Sequence, residues 1–91
     1  MSKEKITREM LEQGMKENLV RPVLEDGGLC CHIGDNFFYF GGTEFEFTDP
    51  KDIPSDVLIQ LIVDVLDDFA ENKETVEEYR YYYLYLKEHA A

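Results

Sequence analysis

The segment PSDVLIQLIVDVLDDFA, residues 54–70, constrains the fold more than any other part of the chain. Its apolar residues recur at three- and four-residue spacing, which is the period of an α-helix with one face in a core. Pro54 suits the first turn, where an amide N–H has no partner inside the helix. Because the apolar face is wide, we expect this helix to be central and covered on most sides. The face consists of Val57, Leu58, Leu61, Ile62, Val65, Leu66 and Phe69, and Ile59 and Val63 widen it.

The acidic residues of the same segment fall on one side of the predicted helix. Like charges at the spacing i, i+3, i+4, i+7 cost only about 0.2–0.5 kcal/mol per pair, so a solvated face tolerates them. No EF-hand pattern accompanies them, and a divalent-ion site is not predicted. This face is a candidate for binding a basic partner, with a purely solubilising role as the alternative. The four candidate residues are Asp64, Asp67, Asp68 and Glu71.

The rest of the chain predicts two more helices and a small sheet. A helix over residues 7–18 precedes three strands at 19–25, 29–33 and 37–40, which glycine-containing turns join into an antiparallel meander. The last helix covers residues 75–88. The predicted fold class is therefore α+β, with both C-terminal helices packed on one face of the sheet.

Residues 43–48, TEFEFT, alternate phenylalanine with glutamate and leave two interpretations open: a short fourth strand, or an extended lead-in to the next helix. We find no internal repeat or second domain, so we expect residues 1–91 to form a single domain. The predicted core consists of Leu11, Leu29, Cys31, Ile33, Phe37, Tyr39, Leu58, Leu61, Ile62, Val65, Leu66, Phe69, Tyr79 and Tyr83.

Five of the six tyrosines lie between residues 79 and 85. Helical spacing places Tyr79 and Tyr83 on a seam that faces the core, with Tyr82 at its border. The same spacing places Tyr81 and Tyr85 on the opposite side of the helix. Because tyrosine is enriched at protein interfaces, these two residues are candidates for contact with another chain, including a second copy of this one. Plain surface tyrosines are the alternative.

The tripeptide Cys30-Cys31-His32 resembles part of a metal or nucleophile motif. On a strand, Cys30 and His32 share one face and Cys31 lies on the other. Zinc usually takes four ligands, and His89 is the only further cysteine or histidine in the chain. Buried cysteine more often acts as a small apolar residue. We therefore predict no metal, no cofactor, no catalytic residue and no enzymatic activity.

The net charge of −11 is concentrated in residues 44–78, which hold two basic and twelve acidic side chains. A field of this sign repels phosphate, so direct binding to nucleic acid or to an anionic membrane is disfavoured. No apolar run is long enough to cross a bilayer, and the start, MSKEKITREM, lacks the apolar region of a secretory signal. Two adjacent cysteines make no disulfide framework, so we expect a cytoplasmic protein.

The stretch IGDNFFYFGGTEFE, residues 33–46, resembles short proteins carried by conjugative elements and phages of gut bacteria. The order of predicted elements and the acidity are similar to those of a type II-A anti-CRISPR protein, a class that fills a DNA-binding groove with carboxylates. The resemblance implies an accessory protein of a mobile element. We expect a non-enzymatic, acidic protein-binding module; the alternative is a DNA mimic that inhibits a basic nucleic-acid-processing enzyme.

Overall fold

The computed structural model describes residues 5–25, 28–41 and 49–89. A helix is followed by a three-stranded antiparallel sheet and then by two helices, which confirms the predicted α+β class and the order of its elements. A short 3-10 turn, Pro50–Asp52, leads into the first of these two helices. The elements are α1 (Arg8–Lys16), β1 (Val20–Glu25), β2 (Gly28–Ile33), β3 (Asn36–Gly41), α2 (Ser55–Glu71) and α3 (Val76–His89).

Helix α1 begins after a side-chain cap and packs closely against β1 near its C-terminal end. The hydroxyl of Thr7 accepts a hydrogen bond from the Met10 N–H at 3.1 Å, which satisfies one of the unpaired amides of the first turn. A Cβ on Gly14 would lie 2.6 Å from Cγ2 of Val20. Gly14 thus marks the point where α1 packs closely against the start of β1.

The sheet has the order β1-β2-β3, and a two-residue turn fixes the register of β2 with β3. Ile33 pairs with Asn36, so Gly34 and Asp35 alone form the turn between β2 and β3. Gly34 has φ +65°, a conformation that glycine adopts without steric cost. The predicted extended segment 43–48 lies outside the described residues.

The two faces of the sheet differ sharply in burial. We call the face that packs on the helices the inner face and the opposite one the outer face. Strand alternation and the pairing register place Leu29, Cys31, Ile33, Phe38 and Phe40 on the inner face, where all are buried. The same register places Arg21, Val23, Glu25, Cys30, His32, Phe37 and Tyr39 on the outer face, with Arg21 paired directly opposite His32.

The prediction that Phe37 and Tyr39 belong to the core is wrong, since they are 50% and 49% exposed. The physical reason is the length of the turn. A three-residue turn would have placed Phe37 opposite Ile33, whereas the two-residue turn pairs Phe37 with His32 and Phe38 with Cys31. A shift of one residue moves every side chain of a strand to the other face.

Helix α2 buries one side rather than most of its circumference. Leu58, Ile59, Ile62 and Leu66 are buried against the core. Three predicted core residues, Leu61, Val65 and Phe69, are only partly buried at the edge of that core. Val57 is 44% exposed, so the expectation of a helix covered on most sides is wrong.

Helix α3 presents Tyr79, Tyr82 and Leu86 to the core. Tyr82 is fully buried whereas Tyr83 is partly exposed, so the sequence prediction exchanged these two neighbours. The Tyr79 hydroxyl accepts a hydrogen bond from the Ile6 N–H at 2.7 Å, and the Tyr82 hydroxyl donates one to the Glu78 carboxylate. Both buried hydroxyls are therefore satisfied.

Replacing Phe38 by alanine should destabilise the fold far more than the same change at its neighbour Phe37. We expect Phe38→Ala to lower the free energy of unfolding by about 3–5 kcal/mol because it leaves a cavity in the core. Phe37→Ala should cost less than about 1.5 kcal/mol, since half of that ring is already in water. Urea denaturation measures both, and equal losses would show that the strand register is wrong.

Stability should fall at alkaline pH. Burial, with the hydrogen bond to Glu78 second, raises the pKa of Tyr82, and burial raises the pKa of the Cys31 thiol. Unfolded cysteine and tyrosine lose their protons near pH ~8.5 and ~10, while the folded protein retains them. The stabilisation that these two groups contribute is therefore complete below pH ~8.5 and is lost progressively as the pH rises above it.

The measurement is the urea midpoint between pH 7 and pH 11. The urea midpoints of Tyr82→Phe and Cys31→Ala should each fall less steeply with rising pH than the midpoint of the unmodified chain. The midpoint of Tyr83→Phe should fall as steeply as that of the unmodified chain. Parallel curves for all four proteins would contradict the assignment.

Candidate functional site

The acidic face of α2, defined as Asp64, Asp67, Asp68 and Glu71, points away from the core. Asp64, Asp68 and Glu71 are exposed, and Asp67 is partly buried. Gln60 donates a hydrogen bond to Asp64 at 2.8 Å. Across the described parts of the chain, no lysine, arginine or histidine forms an ion pair with these four carboxylates. The face is thus a patch of uncompensated negative charge.

An open depression of about 440 Å³ adjoins the N-terminal end of α2 and is lined by Arg8, Asp56, Val57, Gln60 and Leu61. Arg8 lies 3.8 Å from the Asp56 carboxylate and donates a hydrogen bond to Gln60. The depression is open, and neighbouring side chains engage Arg8, the cation that lines it. It adds little to the acidic face beyond the exposed side chain of Val57.

Tyr81 and Tyr85 lie against the turn between β2 and β3, not on an unoccupied side of α3. The Asp35 N–H donates a hydrogen bond to the Tyr81 hydroxyl at 3.0 Å. The centroids of the two stacked rings are 6.1 Å apart. A Cβ on Gly34 would collide with the Tyr81 hydroxyl and lie 3.2 Å from ring atoms of Tyr85. The expectation that they face away from the rest of the monomer is corrected, because the turn occupies part of that side. Whether their remaining surface binds a partner stays a prediction.

The outer face of the sheet brings together three side chains of different chemistry. A carboxylate oxygen of Glu25, the sulfur of Cys30 and a ring nitrogen of His32 lie within 4.8 Å of one another. Nε2 of His32 is 3.1 Å from Oε2 of Glu25. Phe37 stacks on the His32 ring at a centroid distance of 5.3 Å. Cys30 is fully buried, whereas the other two side chains are partly exposed.

Glu25 is the member of this cluster that the sequence analysis missed. It lies on β1, outside the tripeptide Cys30-Cys31-His32. Its place follows from the observed register, in which Glu25 pairs with Gly28, so that Glu25 shares a face with Cys30 and His32. The predicted strands 19–25 and 29–33 would have paired Glu25 with Leu29 and placed it on the other face. Carboxylate, imidazole and thiolate groups are all zinc ligands.

Cys31 does not take part in this cluster. It lies on the inner face, fully buried, and burial raises the pKa of its thiol. Strand alternation places its side chain on the opposite face of the sheet from Glu25 and His32. The two adjacent cysteines thus have separate environments, as strand alternation predicts.

Comparison of the chain with protein-family models, with curated proteins and with solved structures finds no match. Among the described residues, no helix has both the length and the apolar character needed to cross a bilayer.

Replacing Tyr81 by phenylalanine should reduce stability modestly. The change removes the hydrogen bond from the Asp35 N–H, which is worth about 0.5–1.5 kcal/mol. Tyr83→Phe is the matched control, because the Tyr83 hydroxyl forms no hydrogen bond within the described ranges. Thermal unfolding of both variants measures the difference, and an unchanged midpoint for Tyr81→Phe would show that the hydrogen bond contributes nothing.

Proposed function

We propose that this chain is a non-enzymatic protein-binding module that presents the acidic face of α2 to a basic surface of a partner protein. The observation that carries the proposal is the set of four carboxylates with no cationic partner in the described chain, on a helix whose opposite side is anchored in the core. A fixed helix holds these charges in a defined pattern. Such a pattern selects partners by charge complementarity.

The electrostatics favour a cationic partner over solvent alone. The four carboxylates repel one another at helical spacing, and a partner's lysine or arginine side chains would relieve that repulsion. The surrounding segment, residues 44–78, has a net charge of 2 − 12 = −10, so the field extends beyond the four residues. Opposite charge also accelerates association by steering the encounter.

A DNA mimic that inhibits a basic nucleic-acid enzyme is the second candidate, because it would use the same carboxylates. The seven-residue span from Asp64 to Glu71 covers about 10 Å of helix axis, given a rise of about 1.5 Å per residue. Duplex DNA carries about six charges over that length. Four carboxylates are therefore a sparse imitation of duplex DNA, which is why a general basic partner ranks first.

The Tyr81–Tyr85 pair ranks below the acidic face as a binding surface, for a partner or for self-association, because the Gly34–Asp35 turn already covers part of it. A cytoplasmic location is proposed from the sequence, because two adjacent cysteines make no disulfide framework. The role as an accessory protein of a mobile element is proposed from the resemblance of residues 33–46 alone.

Neutralising the acidic face should abolish partner capture. The test compares the unmodified chain with the triple variant Asp64→Asn, Asp68→Asn, Glu71→Gln as immobilised baits in host lysate. We expect a basic protein to bind the first and not the second, and its affinity to fall steeply as salt rises from ~0.05 to ~0.3 M. Competition by duplex DNA distinguishes the two candidates, since it is expected only for the mimic.

The matched control removes three exposed carboxylates elsewhere, by Glu9→Gln, Glu12→Gln and Glu88→Gln on α1 and α3. This control has the same net charge as the triple variant and should still capture the partner. Equal loss in both variants would mean that only total charge matters. Capture that survives in the triple variant and in high salt would overturn the proposal and favour the tyrosine surface.

A further inference from the structure

We propose that Glu25, Cys30 and His32 bind a zinc ion on the outer face of the sheet. The three donors belong to two strands and converge although they are up to seven residues apart in sequence. Each is a ligand type that zinc accepts: thiolate, imidazole and carboxylate. The combination of sulfur with nitrogen favours zinc over magnesium or calcium, which take oxygen ligands.

The strand register explains why the donors meet. Val23 of β1 pairs with Cys30 of β2, while Glu25 and His32 lie two residues away from this pair in opposite directions along the strands. Their side chains extend toward each other above the Val23–Cys30 pair, and Nε2 of His32 lies 3.1 Å from Oε2 of Glu25. Cys30 lies between them, fully buried. An ion bound here would therefore join β1 to β2 and sit above a buried sulfur.

The observed distances require only small movements for metal binding. Donors around a tetrahedral zinc ion, at bond lengths near 2.0–2.3 Å, are about 3.5 Å apart. The three donor atoms are already within 4.8 Å of one another, so shifts of about 1 Å suffice. The side chains of His32 and Glu25 are 28% and 43% exposed and have room to make them.

Neighbouring groups support the imidazole. Phe37 stacks on one side of the His32 ring at an interplanar angle of 28°, which restricts the ring's rotation. An orientation held by packing reduces the conformational entropy that a ligand loses on binding. Three protein ligands leave one tetrahedral position for water or for a donor atom of a bound molecule. The competing interpretation is a simple surface ion pair between His32 and Glu25. Such a pair would contribute little to stability, and it would not require a cysteine beside it.

Cobalt(II) is the probe, because it replaces zinc and reports a thiolate ligand by sulfur-to-metal charge-transfer absorption. The full chain is stripped of metal with a chelator, reduced, and titrated with cobalt and then with zinc. We expect one cobalt per chain with charge-transfer absorption, displacement by zinc, and a higher thermal midpoint with zinc bound.

The variants Cys30→Ala, His32→Gln and Glu25→Gln should each weaken zinc binding at least ~10-fold, and Cys30→Ala should remove the charge-transfer absorption. The matched controls Cys31→Ala, His89→Gln and Glu12→Gln should leave both unchanged. Circular dichroism checks that each variant is folded, and Glu25→Gln, which alters a partly exposed side chain, retains the test if Cys30→Ala unfolds. Cobalt binding without charge-transfer absorption, binding lost in the controls, or no stoichiometric binding by the unmodified chain would overturn the proposal.

Discussion

The ring of Phe38 holds the two layers of the molecule together. Its centroid lies 5.4 Å from that of Phe69 on α2 and 5.3 Å from that of Tyr82 on α3, so one side chain joins β3 to both C-terminal helices. Offset and edge-to-face contacts of this kind add to the free energy gained by burial. Phe40 is the other aromatic ring that the described sheet buries on its inner face. The contact of Phe38 with Phe69 helps to fix the placement of α2, and hence the direction of its acidic face.

The pairing register that buries Phe38 also determines which side chains of β3 lie on the outer face. Because Gly34 and Asp35 form a two-residue turn, Phe38 pairs with Cys31, and His32 necessarily pairs with Phe37 on the other side of the sheet. The stack of Phe37 on His32 follows from this register, whereas the approach of His32 to Glu25 follows from the separate pairing of β1 with β2. One turn therefore decides which aromatic rings of β3 are buried and which lie on the outer face.

Local periodicity predicted most of this fold, and the errors arose where non-local packing decides. The predicted helix 54–70 agrees with the observed Ser55–Glu71 because its spacing and its proline start are properties of the segment itself. The sequence prediction buried Tyr83 instead of Tyr82 because both lie near the helix seam that faces the core. The contact of Tyr82 with Phe38 accounts for its burial, and helical spacing does not contain that contact. Glu25 was missed because its proximity to His32 depends on the pairing of two strands, and no helical or strand period in the sequence contains that information.

The two proposed sites lie on opposite sides of the molecule and act independently. Helix α2 packs on the inner face and turns its carboxylates outward, whereas Glu25, Cys30 and His32 occupy the outer face. A helix alone is about 10 Å across, and the sheet adds to that separation, so the acidic face is more than a Debye length of about 10 Å from the cluster. At physiological salt its charge contributes little to the affinity for a cation there. The affinity must therefore come from the three donors themselves, and the large negative charge of α2 cannot substitute for a missing sulfur or imidazole.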